Sequence, residues 1–185
     1  MPTRMLAAAA LVLASSLAAR QLPAASQTRQ FDARDPLKIV AVYSGRWHSE
    51  DETFDTQFSK ASKESVEIAN TCSTDGEFYV CHQQVSKPSG PAGAMVIFLW
   101  NAKDRLIDTY VMQSTGGNAY HGHLVMAGDT WTWQAAAPDK SAPTQWRTLN
   151  TFSGTDHIVY QTQFSSDGGE HWTTTRQGKE TRVVP

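Results

Sequence analysis

The sequence predicts an all-β fold: a single small antiparallel up-and-down β-barrel with a short N-terminal helix. Three observations carry this. Beyond Tyr43, short runs rich in β-branched and aromatic residues recur at regular spacing. Turn-forming clusters separate them at 101–105, 127–129, 153–156 and 166–169. No run beyond Tyr43 keeps a helical period. Each run leads directly into the next, so about eight to ten strands can close on themselves and remove exposed sheet edges.

The elements follow in order. Residues 1–26 read as a cleaved signal peptide: Arg4 gives a positive start, an Ala/Leu/Val/Ser run spans 6–17, and small residues follow. The apolar run is well short of the ~20 residues a membrane-spanning helix needs. Residues 27–34 read as a flexible linker, 35–178 as the barrel and 179–185 as a C-terminal tail. Asp35-Pro36 is a helix start, since Asp can cap and Pro fits the first helical position. The strand-like runs are 66–71, 78–85, 94–100, 106–113, 119–126, 130–135, 145–152, 158–164 and 171–176, after a first strand opening at Gly45-Arg46-Trp47.

Composition excludes several classes. The chain has 185 residues, 40% of them apolar, and six tryptophans, which is too much apolar surface for a disordered chain. A net charge of −2 argues against a nucleic-acid partner bound through a basic face. No stretch after the leader is apolar enough for a membrane span. Nothing in the sequence specifies an oligomeric state. Two cysteines in an exported chain make a disulfide the default, and Cys72 and Cys81 face each other if a hairpin turns between Gly76 and Glu77.

Period-two alternation sorts the side chains. Trp131 and Trp133 share one face of their strand. Ile158, Tyr160 and Phe164 share another. Tyr120, Leu124 and Met126 lie opposite His121, His123 and Val125. Residues 94–100 are apolar on both faces, and the helix is a candidate cover for their outer side. In 106–113 two registers are open. If Leu106, Asp108, Tyr110 and Met112 face inward, Asp108 is a carboxylate in an apolar cavity. If Ile107, Thr109 and Val111 face inward, Asp108 is in water.

Gly45-Arg46-Trp47 resembles the G-x-W signature of lipocalins and other calycins. With Trp131-Thr132-Trp133, Arg147-Thr148 and 165–172, the pattern over about Pro36 to Arg176 is similar to the lipocalin-like family of bacterial exported proteins often called DUF1579. The resemblance implies a barrel whose closed end is plugged by Trp47, with a basic residue from the last strand over its indole. Arg176 is the first choice for that residue and Arg182 the second. It implies no established activity and transfers no functional residue.

The remaining motifs read as structural. Ser165-x-Asp167-x-Gly169-x-x-Trp172 fits the Asp-box turn of sialidase propellers, except for His171 where Thr is usual. A propeller needs several copies and the sequence holds one, so Asp167 and Trp172 are expected to build a hairpin. His121 and His123 point the same way, as a metal site requires, but the sequence offers no placed third ligand. No metal or cofactor is therefore expected. Glu50, Asp51 and Glu52 look like a solvated loop. The expected function is a periplasmic or secreted barrel binding a small, mostly apolar molecule, with Tyr110, Met112, Tyr120, Leu124, Trp131, Trp133 and Tyr160 as candidate lining residues. The alternatives are a small barrel enzyme (isomerase, hydratase or cyclase) using Asp108 or Tyr110 as acid–base groups, and an interaction module with a filled core.

Overall fold

The computed structural model describes residues 35–114, 119–135 and 144–184. The expected signal peptide and linker lie outside the described residues. A 3₁₀ helix, Pro36–Tyr43, precedes ten strands: β1 Gly45–Thr53, β2 Ser62–Asp75, β3 Phe78–Ser86, β4 Ala92–Asn101, β5 Leu106–Gln113, β6 Tyr120–Ala127, β7 Thr130–Ala135, β8 Gln145–Ser153, β9 His157–Ser165 and β10 Thr173–Val183. Every strand pairs antiparallel with its chain neighbours, and β10 returns to β1 to close the barrel. No helix among the described residues is long and apolar enough to cross a membrane.

The alternation is that of a closed sheet with a packed interior. On β7, Trp131 is fully buried and Trp133 packs against the same core. On β9, Ile158, Tyr160 and Phe164 are buried. On β5, the inward set is Ile107, Thr109 and Val111, which settles the register that the sequence left open. β10 runs to Val183, through most of the stretch expected as a tail. It does so because 179–181 pair on both sides, Glu180 with Ser49 and Ile158, and 182–183 go on pairing with β1, Arg182 with Trp47. The helix lies elsewhere than expected. It turns under the barrel, with Val40 fully buried beside Phe98, Trp131 and Phe152. The outer side chains of β4, Met95, Ile97 and Leu99, stay partly exposed.

The closed end is built around Trp47, which is buried and donates its indole N–H to the Tyr43 carbonyl at 3.1 Å. Arg182, not Arg176, covers its ring, with the guanidinium carbon 4.2 Å from the centroid. The same guanidinium donates to the carbonyls of Ser44 (2.6 Å) and Val42 (2.7 Å) and to Asp156 Oδ1 (3.0 Å). One side chain thus ties the helix exit to the β8–β9 turn. Gly45 permits this, because at φ 118° a Cβ would lie 2.6 Å from Arg182 Nη1.

Cys72 and Cys81 are direct cross-strand partners on β2 and β3 and are joined by a disulfide. The 165–172 hairpin is self-contained. Asp167 accepts from the His171 backbone N–H (2.9 Å) and the Ser165 hydroxyl (2.7 Å), and Trp172 Nε1 donates to the Gly169 carbonyl (2.9 Å). These bonds, the His171 amide foremost, hold the Asp167 carboxyl far below the usual range.

Candidate functional site

The barrel encloses a cavity of about 700 Å³, within the range that holds one small ligand. Its floor is Tyr43, whose ring packs edge-on against Trp131 and Trp133 and whose hydroxyl accepts from Trp133 Nε1 (3.0 Å) and Asn150 Nδ2 (2.9 Å). One wall is apolar: Val66 and Ile68 of β2, Val96 and Phe98 of β4, Val111 of β5 and Trp133 of β7. The mouth lies at the β3–β4 turn, where Lys87, Ser89 and Pro91 line it, with Tyr120 opposite at the start of β6. On the β8–β9 side, Phe58 from the β1–β2 connection packs on Trp146 and Phe164 at 5.0 and 4.8 Å while staying half exposed.

The opposite wall is polar and comes from β1, β9 and β10. Trp47, Ser49 and Asp51 alternate inward along β1, so Asp51 is buried rather than part of a solvated loop. Its carboxylate accepts from the Ser49 hydroxyl (2.5 Å), the Tyr160 hydroxyl (2.6 Å) and Arg176 Nη2. Tyr160 reaches Asp51 across β10 because Gly178, which pairs with both, has no side chain. A Cβ there would lie 2.5 Å from Asp51 Oδ1 and 2.5 Å from Tyr160 Cε1. Burial, then the bond to Asp51, pushes the Tyr160 hydroxyl well above the usual phenol range.

Two groups on this wall have bonding capacity to spare. Arg176 Nε is buried with no hydrogen-bond partner among the described residues. Glu180, two inward positions further along β10 past Gly178, makes no hydrogen bond to the described residues and lines the cavity. Burial, with the Asp51 charge adding to it, pushes its carboxyl up to about 7.

Solved structures share this architecture. The S-type phycobiliprotein lyase CPES from Guillardia theta matches with a TM-score of 0.52 at 13% identity, over 80% of this chain and 92% of that one. The protein Rv2717c from M. tuberculosis matches with a TM-score of 0.53 at 13% identity, over 80% of this chain and 97% of that one. The fold is that of a lipocalin-like barrel. No family model and no curated protein matches the chain.

Within the lipocalin-like barrel the expected lining residues divide three ways. Trp133, Tyr160 and Tyr120 line the cavity. Trp131 and Leu124 point inward but are packed into the closed-end core. Tyr110 and Met112 lie on the outer surface, 43% and 37% exposed, because β5 presents its other face to the interior. Asp108 goes with them. It faces outward and bonds Asn101 Nδ2 (3.1 Å) and His123 Nδ1 (3.0 Å), so neither it nor Tyr110 can act inside the barrel. Arg176, expected over Trp47, belongs to the cavity instead. Sequence reasoning missed Asp51, Glu180 and the role of Arg176. The signal for Asp51 was present, since counting by twos from Trp47 reaches it.

Proposed function

We propose that this chain is an exported binding protein for one small amphipathic molecule, in line with the exported DUF1579-like proteins that its G-x-W and tryptophan pattern resembles. The observation that carries the reading is the two-faced cavity: an apolar wall of Val66, Ile68, Val96 and Phe98 facing a polar wall of Asp51, Arg176 and Glu180. A filled-core interaction module would not keep about 700 Å³ open, since ligand cavities begin near roughly 300 Å³. The polar wall sets the head-group chemistry. Asp51 already holds Arg176 Nη2, and Glu64 lies 3.7 Å from the same nitrogen, so a carboxylate ligand finds that donor taken. Glu180 instead favours a polar head that donates a hydrogen bond to it. This refines the expected ligand from mostly apolar to amphipathic.

The test is native mass spectrometry of protein purified from its own host, followed by Trp133 fluorescence with the extracted molecule. The reading expects one co-purified ligand per chain and quenching that Trp133→Phe abolishes. Protein that is empty, and whose fluorescence no host extract alters, would refute it. Intact mass also tests export, which predicts a start between residues 20 and 29.

Glu180 favours a second reading, an enzyme on the same barrel. A cavity carboxyl near 7 is poised to exchange protons at neutral pH. One structural neighbour, the Guillardia theta protein, is named a lyase. Conversion of the co-purified ligand, lost in Glu180→Gln, would select this reading.

A further inference from the structure

We propose that Asp108, His121 and His123, on the outer wall of the barrel, form a binding site for a first-row divalent transition-metal ion such as Zn²⁺. The site is separate from the cavity and independent of what the cavity binds. His121 and His123 alternate onto the outer face of β6, and strand pairing sets Asp108 of β5 directly opposite His123. One ligand atom from each of the three lies within 4.8 Å of the others. Asp108 Oδ1 is 3.0 Å from His123 Nδ1 and 3.6 Å from His121 Nε2. Two ligands bound tetrahedrally at about 2.05 Å lie about 3.3 Å apart. The observed separations bracket that value, so an ion would replace the proton shared between His123 and Asp108 with small side-chain adjustments.

The ligands are held from outside the triad. Asn101 Nδ2 donates to the second oxygen of Asp108 at 3.1 Å, which leaves Oδ1 turned toward both histidines. Tyr110, the cross-strand partner of His121, stacks on its ring with centroids 4.6 Å apart and planes 18° from parallel. This is the kind of outer support that fixes ligand orientation at metal sites. Two imidazoles and one carboxylate suit zinc, cobalt, nickel, copper or ferrous iron better than magnesium or calcium, which prefer all-oxygen sets. The three side chains are 42%, 36% and 13% exposed, so water can fill the remaining coordination positions. A second cluster with three ligand atoms near one another, Asp167, Glu170 and His171, lacks a second imidazole and sits on a turn whose bonds already use Asp167.

The test is calorimetric titration of the full chain with Zn²⁺ alone, and separately with Co²⁺ alone while its visible d–d absorption is followed. One ion per chain is expected, with a cobalt spectrum typical of nitrogen and oxygen ligands. His121→Ala and His123→Ala should each remove the spectrum while the circular dichroism stays that of the parent, since both side chains project outward. His171→Ala should leave binding unchanged. Asn101→Ala should weaken the affinity about 10- to 100-fold, the usual effect of removing outer support. Binding that survives both histidine substitutions, or no saturable binding of either ion, would overturn the proposal.

Discussion

Glu180 gives the sharpest perturbation. Its carboxyl titrates near 7 in the folded chain against an ordinary 4.5, because burial disfavours its charge. The folded state therefore holds this proton more tightly than the unfolded state does. The resulting stability is fully present below pH 4.5 and is lost as pH rises toward about 7. At about 1.4 kcal/mol per pH unit, the gap is worth about 3 kcal/mol. Glu180 lines a cavity that opens to solvent, and screening trims the expected effect to about 1–3 kcal/mol. Glu180→Gln keeps the shape and removes the titration. Denaturant unfolding of parent and variant from pH 4.5 to pH 8 isolates this group, because all other titrations cancel in the difference. The variant should gain on the parent by about 1–3 kcal/mol across that range, with the change centred between the two values. A flat difference, or one in which the variant loses ground as pH rises, would show that Glu180 is not a desolvated carboxyl.

Three further expectations concern the frame around it. Trp47→Ala should cost about 3–5 kcal/mol, as for other buried tryptophans, and Arg182→Ala at least about 2 kcal/mol, because it removes the indole cover and the donor to three backbone carbonyls, those of Val42, Ser44 and Thr155; chemical denaturation of both variants checks this, and parent-like unfolding of Trp47→Ala would undo the plug. Gly178→Ala should destabilise the fold and red-shift tryptophan emission as Asp51 and Tyr160 are forced apart, whereas Gly128→Ala, at a turn with open space around it, should keep the parent spectrum. Unfolded, unreduced protein should titrate no free thiol. Reducing the Cys72–Cys81 bridge should lower stability by about 2–3 kcal/mol for so short a loop, again read by denaturation.

The fold was legible wherever the two faces of a strand differ in chemistry. Trp131 and Trp133 against Thr132 and Gln134, or Ile158 and Tyr160 against His157 and Gln161, give alternation only one meaning. β5 has no such contrast. Its outward Tyr110 and Met112 are as apolar as its inward Ile107 and Val111, since the neighbouring outer face of β4 is apolar too. Asp108 was therefore visible as a chemically significant residue but could not be placed. Its link to His121 and His123 is a property of strand pairing, which periodicity within one strand does not report.

The role of Arg176 turned on a single residue of register. β10 carries a bulge between Thr174 and Arg176: Thr174 pairs with Gln163 and Arg176 with Thr162. Thr174 follows its outward partner Gln163, and the extra residue, Thr175, restarts the alternation so that Arg176 faces inward with Thr162. Without the bulge Arg176 would project into solvent. With it, Arg176, Gly178, Glu180 and Arg182 all face the interior. Six residues at about 3.3 Å each put the two arginines about 20 Å apart along the strand. Only Arg182 pairs with Trp47, and Arg176 pairs with Thr53 at the far end of β1. One strand therefore supplies the cation that covers the closed end and the cation that neutralises Asp51 in the cavity. The space between them is left to Gly178, which admits Tyr160, and to Glu180, the one carboxyl on that strand's inner face without a partner among the described residues. The bulge thus links closure of the barrel to the polarity of its cavity, and a substitution that erased it would disturb both ends at once.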